Sequence, residues 1–478
     1  MMDSLLIILI GTATVLFCIV RLKLHAAVSL LLAALVTALL TSPEQIAQFA
    51  ASQGMAESQV NSLVNMSLGK RLATAFGNTS GKIGILIALA SIIGTALMRS
   101  GGAERIIRAL LSLFGKKRTS IALLSGSFTL AIPVFFDTVF YLMIPLVKSI
   151  GVRNPKQFSL YLMTIIAGGV MAHSLIPPTP GPLFVAEEMG IDLGAMIIGG
   201  LVVGLVTIIS GYFYALWANK KWDLPMRDTP DISINDLKQF SEKEVAELPS
   251  LWLSLLPVLL PIILITGNTF SQMALESTGE SASVFQVKSA QFFAAVGDAN
   301  IALMISTLIV MYLLWVRLKN VETFKKFIFE ALSSAGMIIL ITSCGGAFGQ
   351  MLQQTGIGIR VGEMAANYQM AILPLAFFIS AGVRTAQGSA TVAMVTAIGV
   401  IGGMAQADLA FHPVYIALAI GCGSKVFAWM NDSAFWIITK MSGMEEKETI
   451  RHFSLLLLVM GFSGLLAVMI LSKLAPFV

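Results

Sequence analysis

Runs almost free of charge recur from one end of this chain to the other; 4-SLLIILIGTATVLFCIV-20, 24-LHAAVSLLLAALVTALL-40 and 194-GAMIIGGLVVGLVTIISGYFYALW-217 are three of them. As helices, each is long enough to cross a hydrocarbon core about 30 Å thick. Composition agrees: 56% of the residues are hydrophobic and 12% charged, against about 25% charged in a soluble domain. The chain reads as an all-α polytopic membrane protein with the lipid bilayer as its solvent. Asp3 precedes the first run, which has no basic flank and no small-residue cleavage site, so it is expected to be a retained helix. Cys18, Cys344 and Cys422 stand apart in apolar segments. They read as packing residues, with neither a disulfide framework nor a metal site.

The formal net charge is +5, and the basic residues behind it are grouped. Arg21 and Lys23 follow the first run, while Arg99, Arg105, Arg108, Lys116, Lys117 and Arg118 follow the apolar run that ends at Met98. Later groups are Lys148, Arg153 and Lys156; Lys220, Lys221 and Arg227; Arg317, Lys319, Lys325 and Lys326; and Lys440, Lys447 and Arg451. The connections 41–80 and 268–290 hold few Lys or Arg for their length. Cytoplasmic flanks of membrane helices are enriched in these residues, so the groups are placed inside and both termini outside. The charge reports orientation, and no nucleic-acid partner is expected.

The apolar stretch 120–147 lies between two basic groups that both belong inside, which one crossing cannot satisfy. Either it holds two very short spans, or it is a re-entrant hairpin that enters from the cytoplasm and turns back within the protein. In 129-TLAIPVFFDTVFYLMIPLV-147, Pro133 and the lone acidic Asp137 favour the hairpin, with an interior break. Irregular backbone at that depth is tolerated only where protein buries it or it lines a wet cavity. The stretch 369–405 has the same character from the outer side, with 383-VRTAQGSATVAM-394 as its polar tip. A third break is 171-MAHSLIPPTPGPLF-184, where Pro177, Pro178, Pro180 and Pro182 remove amide donors and cannot continue a helix.

These pieces recur at one spacing. The segment 169-GVMAHSLIPPTPGPLFVAEEMG-190 resembles 421-GCGSKVFAWMNDSAFWIITKMSG-443, an offset of 252 residues from Gly169 to Gly421. The same offset carries Gly94 in 94-GTALMRSGGAERI-106 to Gly346 in 346-GAFGQMLQQTGIGIRV-361. It brings Asp137 near Gln387 and Ser389, His173 onto Lys425, Thr179 onto Asn431 and Pro180 onto Asp432. With the first hairpin opening inward and the second outward, this is an inverted-topology repeat with two re-entrant hairpins and two broken helices. Secondary transporters are built this way, with the site near the midplane where broken segments meet. The expected organisation is 1–80 as scaffold helices and an outer connection, 81–190 as the first transport repeat, and 191–325 as scaffold with a cytoplasmic loop at 219–250. Residues 326–443 form the second transport repeat and 444–478 a C-terminal helix.

Polar residues inside the apolar layer are the candidate site. Asp137 and Asp432 can each take up a proton, ligate a cation or meet substrate; capping a half-helix is the structural alternative. His173 can relay protons, or simply bond to backbone. Ser174 and Thr179 offer hydroxyls near the proline break, and Gly181 permits close approach. At 384-RTAQGSAT-391, Arg384, Gln387, Gly388, Ser389 and Thr391 stand where a half-helix would begin, an arrangement suited to a carboxylate. Arg384 and Lys425 serve equally well as partners of Asp137 or Asp432. His25, His173, His412 and His452 show no HExxH, GxSxG or Cys/His spacing, so an embedded enzyme is disfavoured and no cofactor is expected. A passive channel stays open on these residues alone.

The set PVFFDTVFYLMIPLV, AHSLIPPTPGPL, GGAFGQMLQQTGIG, RTAQGSATVAM and AIGCGSKVFAWMNDSAFW resembles the gluconate:proton symporter (GntP) family of the ion-transporter superfamily. The resemblance runs over essentially the whole chain. It implies a bacterial inner-membrane importer of gluconate or a related small hydroxy- or amino-carboxylate, coupled to protons, with sodium coupling the nearest alternative. It further implies a homodimer with a scaffold and a transport domain moving in an elevator-like way. Carried onto this sequence, it places substrate contacts at Thr138, Ser174, Thr179, Gly181, Arg384, Gln387, Ser389 and Asn431, and the proton on Asp137 or Asp432. Many relatives have histidine in the PPHPGP position that Thr179 takes here, which makes Thr179 the expected point of substrate choice.

Overall fold

The computed structural model describes residues 3–227, 248–278, 283–356, 371–402 and 409–476. Most of the cytoplasmic loop 219–250, the segment 357–361 and the ends of the stretch 369–405 lie outside the described residues. All regular structure among the described residues is helical.

The chain opens with α1 (Ser4–Leu16) and α2 (Ala26–Leu40), followed after a sharp bend by α3 (Pro43–Ser52) and then α4 (Glu57–Val64). The first repeat begins with the long α5 (Leu68–Arg99) and the amphipathic α6 (Gly102–Phe114). Two short helices follow, α7 (Thr119–Leu130) and α8 (Phe136–Arg153). A broken helix comes next, α9 (Phe158–Leu175) and α10 (Pro180–Glu188), and then the long α11 (Leu193–Lys221). Between the repeats lie α12 (Leu251–Thr278), α13 (Val284–Val296) and α14 (Ala299–Leu318). The second repeat runs through α15 (Val321–Gln353), the short pair α16 (Ile372–Gln387) and α17 (Ala390–Ile401), and the broken pair α18 (Val414–Gly423) and α19 (Ser433–Ser442). After it comes the C-terminal segment, α20 (Glu446–Thr449), which continues through one π-turn into α21 (Leu455–Leu474).

Packing repeats along with element order. Helix α9 packs on α7 and α11, as α18 packs on α16 and α21; α5 lies along α15, and α11 along α21. The halves also cross, with α10 against α17 and α8 against α19. By length and composition, seven of the described helices can cross a membrane, or eight if the bent pair α2–α3 is one span. Their surroundings differ. The apolar window within Pro155–Glu188 is 94% buried in protein, whereas those of α12 and α15 are 28% buried. This chain leaves most of the apolar side chains on the latter uncovered, which costs nothing where the surroundings are as apolar as a core.

Local chemistry sets each break. Helix α7 ends before Pro133, and α8 starts at Phe136 behind an extended Phe135. Helix α9 stops at Leu175; Ile176 is extended, the Pro177–Pro178 bond is cis, and Pro180 opens α10 at the first helical position, where a missing amide costs nothing. Helix α16 ends on the left-handed Gly388, and Ser389 caps α17 by accepting from Val392 N at 3.4 Å. Asp432 caps α19 by accepting from Ala434 N at 3.0 Å.

Helices α7 and α9 approach so closely that a Cβ at Gly168 would lie 2.1 Å from Ser127 Oγ and 2.4 Å from Leu124 O. The backbone there has no room to move. Gly168→Ala is therefore expected to destabilise the protein by about 1–3 kcal/mol, the usual cost of overpacking, and thermal unfolding in detergent would read it as a lowered Tm.

Candidate functional site

One cavity of about 370 Å³ lies where the two short-helix turns meet the second broken helix. The first turn contributes Phe135, Phe136, Asp137 and Thr138, and α9 contributes His173. The second turn supplies Arg384, Gly388, Ser389, Ala390 and Thr391; the break between α18 and α19 supplies Lys425, Asp432, Ser433 and Ala434. Ser334 and Ile338 of α15 complete the wall.

Arg384 organises this arrangement. It sits in the last turn of α16, where a cation complements the carbonyl end of the helix dipole, and is 4% exposed. Its Nη1 donates to the Gly388 carbonyl and its Nη2 pairs with Asp432 Oδ2, while its own carbonyl accepts from Gly388 N at 2.9 Å. The guanidinium thus ties the tip of one repeat element to the break of another. Asp432 divides its two oxygens between Arg384 and the cap of α19. Lys425 is 5% exposed and lies within electrostatic reach of Arg384, Asp432 and Asp137. Two cations and two carboxylates therefore balance in a largely buried space, where an uncompensated charge would cost several kcal/mol.

Of the residues singled out from sequence, Asp137, Thr138, His173, Arg384, Gly388, Ser389, Thr391, Lys425 and Asp432 come together on this cavity. The others stand behind it. Gln387 Nε2 donates to Ser389 O at 2.7 Å and braces the turn. Asn431 Nδ2 and Trp429 Nε1 both donate to Thr385 O at 2.8 Å, fastening the break to α16. Ser174 is fully buried. Thr179 is also buried, and its hydroxyl donates to Ile176 O at 2.5 Å within the turn between α9 and α10. Gly181 faces Met394, whose Sδ a Cβ would meet at 2.6 Å. Ser334 and Ile338 carry no sequence signal, because the adjacent serines Ser333 and Ser334 in a largely apolar stretch of α15 make no motif.

Charged side chains gathered at interrupted helices inside an apolar layer are costly, and they mark pathways for polar solutes. The fold and its cavity thus define a polytopic membrane transport protein. The comparisons with known proteins are specific. A family model described as GntP family permease matches residues 3–474, and the chain belongs to that family. A gluconate permease of Pseudomonas aeruginosa is 30% identical over 84% of this chain and 87% of its own length. A gluconate permease of Bacillus subtilis is 30% identical over 98% of this chain and 99% of its own. Among solved structures, the Alcanivorax borkumensis YdaH transporter, described as having an unusual topology, superposes with a TM-score of 0.56 at 12% identity. That match covers 84% of this chain and 88% of the other, and it speaks to the fold alone.

Proposed function

We propose that this permease imports gluconate or a closely related small hydroxy-carboxylate across the bacterial inner membrane by proton symport. The observation that carries the reading is the cavity itself, with Arg384 and Lys425 beside the hydroxyls of Thr138, Ser389 and Thr391. A guanidinium and an ammonium suit the carboxylate, hydroxyls suit the polyol, and Asp137 or Asp432 is the proton carrier. The two relatives named as gluconate permeases support the choice of substrate.

In this reading the short pairs α7–α8 and α16–α17 are the re-entrant hairpins, one open to each side. The repeats move as a transport domain against scaffold helices α1–α4 and α11–α14, in a homodimer, with elevator-like alternating access. Substrate binds between the hairpin turns and the broken helices, and the loaded domain carries it inward. The test is uptake of labelled gluconate into proteoliposomes under separate proton and sodium gradients. An inwardly directed proton gradient is expected to drive accumulation above equilibrium, and a protonophore to abolish it. Accumulation driven by sodium alone, indifferent to protonophore, would assign the coupling to sodium; equilibration without accumulation would make the protein a passive channel.

A further inference from the structure

The hydrogen bonding of Arg384 is incomplete on one edge. A guanidinium presents Nε and Nη2 side by side, a fork matched to the two oxygens of one carboxylate. Asp432 engages only Nη2, because its other oxygen caps α19 at Ala434 N. Nη1 is held by the Gly388 carbonyl. Nε is buried and has no hydrogen-bond partner among the described residues. The edge that a carboxylate would grip with both oxygens is therefore half-filled by a protein carboxylate whose geometry keeps it from completing the grip.

We propose that the substrate's carboxylate and Asp432 compete for this edge of Arg384, and that protonation of Asp432 is what releases the guanidinium to the substrate. The inference rests on the reading above of a proton-coupled carboxylate importer, and it selects one of the two candidate carriers. A proton from the outer water binds Asp432 Oδ2 and cancels its charge. The substrate carboxylate then takes Nη2 and Nε together, and Asp432 keeps its cap on α19 through Oδ1. On the inner side the substrate leaves, Asp432 returns its proton to water, and the pair re-forms. Each ligand alone is unfavourable. A proton without substrate leaves a buried guanidinium uncompensated, and a substrate without a proton sets two carboxylates against one arginine. This mutual requirement is a coupling between the two ligands in the thermodynamic sense. The other charged or titratable groups around Asp432 are Lys425 from the same break, Asp137 from the first turn of α8 and His173 from α9. Lys425 and Asp137 line the same cavity and take no part in the exchange.

The experiment measures gluconate binding to the purified full-length protein as a function of pH. In the alkaline range the apparent Kd of the wild type is expected to rise about tenfold per pH unit, the signature of one proton bound with each substrate. Asp432→Asn keeps the cap acceptor but cannot ionise. Its Kd is expected to be flat with pH, with counterflow exchange retained and accumulation driven by a proton gradient lost. Asp137→Asn is expected to keep the wild-type slope. A slope that persists in Asp432→Asn, or that disappears in Asp137→Asn instead, overturns the inference and leaves the transport function standing. Should Asp432→Asn fail to fold, proton uptake by Asp137→Asn on adding gluconate in weakly buffered solution decides: one proton per gluconate supports the exchange at Asp432, and none overturns it. A wild type that binds gluconate without any pH dependence overturns the exchange alone, whereas one that binds no small carboxylate at any pH overturns the functional reading as well.

Discussion

Arg384→Ala is expected to weaken binding of a small carboxylate by about 10²–10⁴-fold, the equivalent of the 3–5 kcal/mol lost when one partner of a buried ion pair is removed. Two losses combine. Substrate loses its bidentate donor, and Asp432 is left ionised at 4% exposure with Lys425 as its remaining neighbouring cation. The Gly388 carbonyl and the cap of α19 are disturbed as well, since Arg384 joins them. Arg384→Lys is expected to rescue little, because one ammonium cannot hold the Gly388 carbonyl and a carboxylate edge in the fixed fork of a guanidinium. Equilibrium binding of labelled gluconate to purified protein, alongside thermal unfolding, separates lost affinity from lost fold. Unchanged affinity in Arg384→Ala would remove this residue from the site.

Gly388→Ala is expected to lower transport by more than about tenfold while leaving insertion intact, from left-handed strain of about 1–2 kcal/mol and from a collision. Gly388 has φ +88°, and a Cβ there would lie 2.2 Å from Asn431 O and 2.7 Å from Asn431 C. Backbone cannot swing aside as a side chain can. The tip of α16 and the break before α19 would have to part, and that is where Arg384 meets Asp432. Gly382 on the same helix has nothing within 4 Å of its own Cβ position. Gly382→Ala is thus the matched control, and uptake by the two variants at equal expression reads the difference.

The all-helical membrane architecture was legible because its causes are periodic or cumulative. Apolar runs reveal length, and the recurrence of glycine, proline and polar interruptions at 252 residues reveals the repeat of element order. The match of α11 with α21 was harder to see, since neither has an internal break to mark it. Within the site, sequence reported depth better than direction. Thr179 and Gly181 lie in the interruption as expected, yet one turns its hydroxyl to Ile176 O and the other faces Met394. Which way a side chain points around an irregular segment follows from its individual backbone angles, which no periodicity encodes. Lys425 was read as either a substrate contact or an ion partner. The fold places it among Asp137, Arg384 and Asp432, where the roles are not exclusive.

The uneven wrapping of the helices decides how the bilayer itself acts on this protein. The span from Pro155 to Glu188 is shielded by other helices over 94% of its apolar window, while α12 and α15 are shielded over 28% of theirs. On a single chain, acyl-chain length and lateral pressure would act at these uncovered faces of α12 and α15, where mismatch is relieved by tilt or local thinning. The His173 wall of the cavity belongs to the shielded span and meets no lipid directly. Ser334 and Ile338 connect the two environments, because α15 leaves one side uncovered by this chain and offers these residues to the cavity.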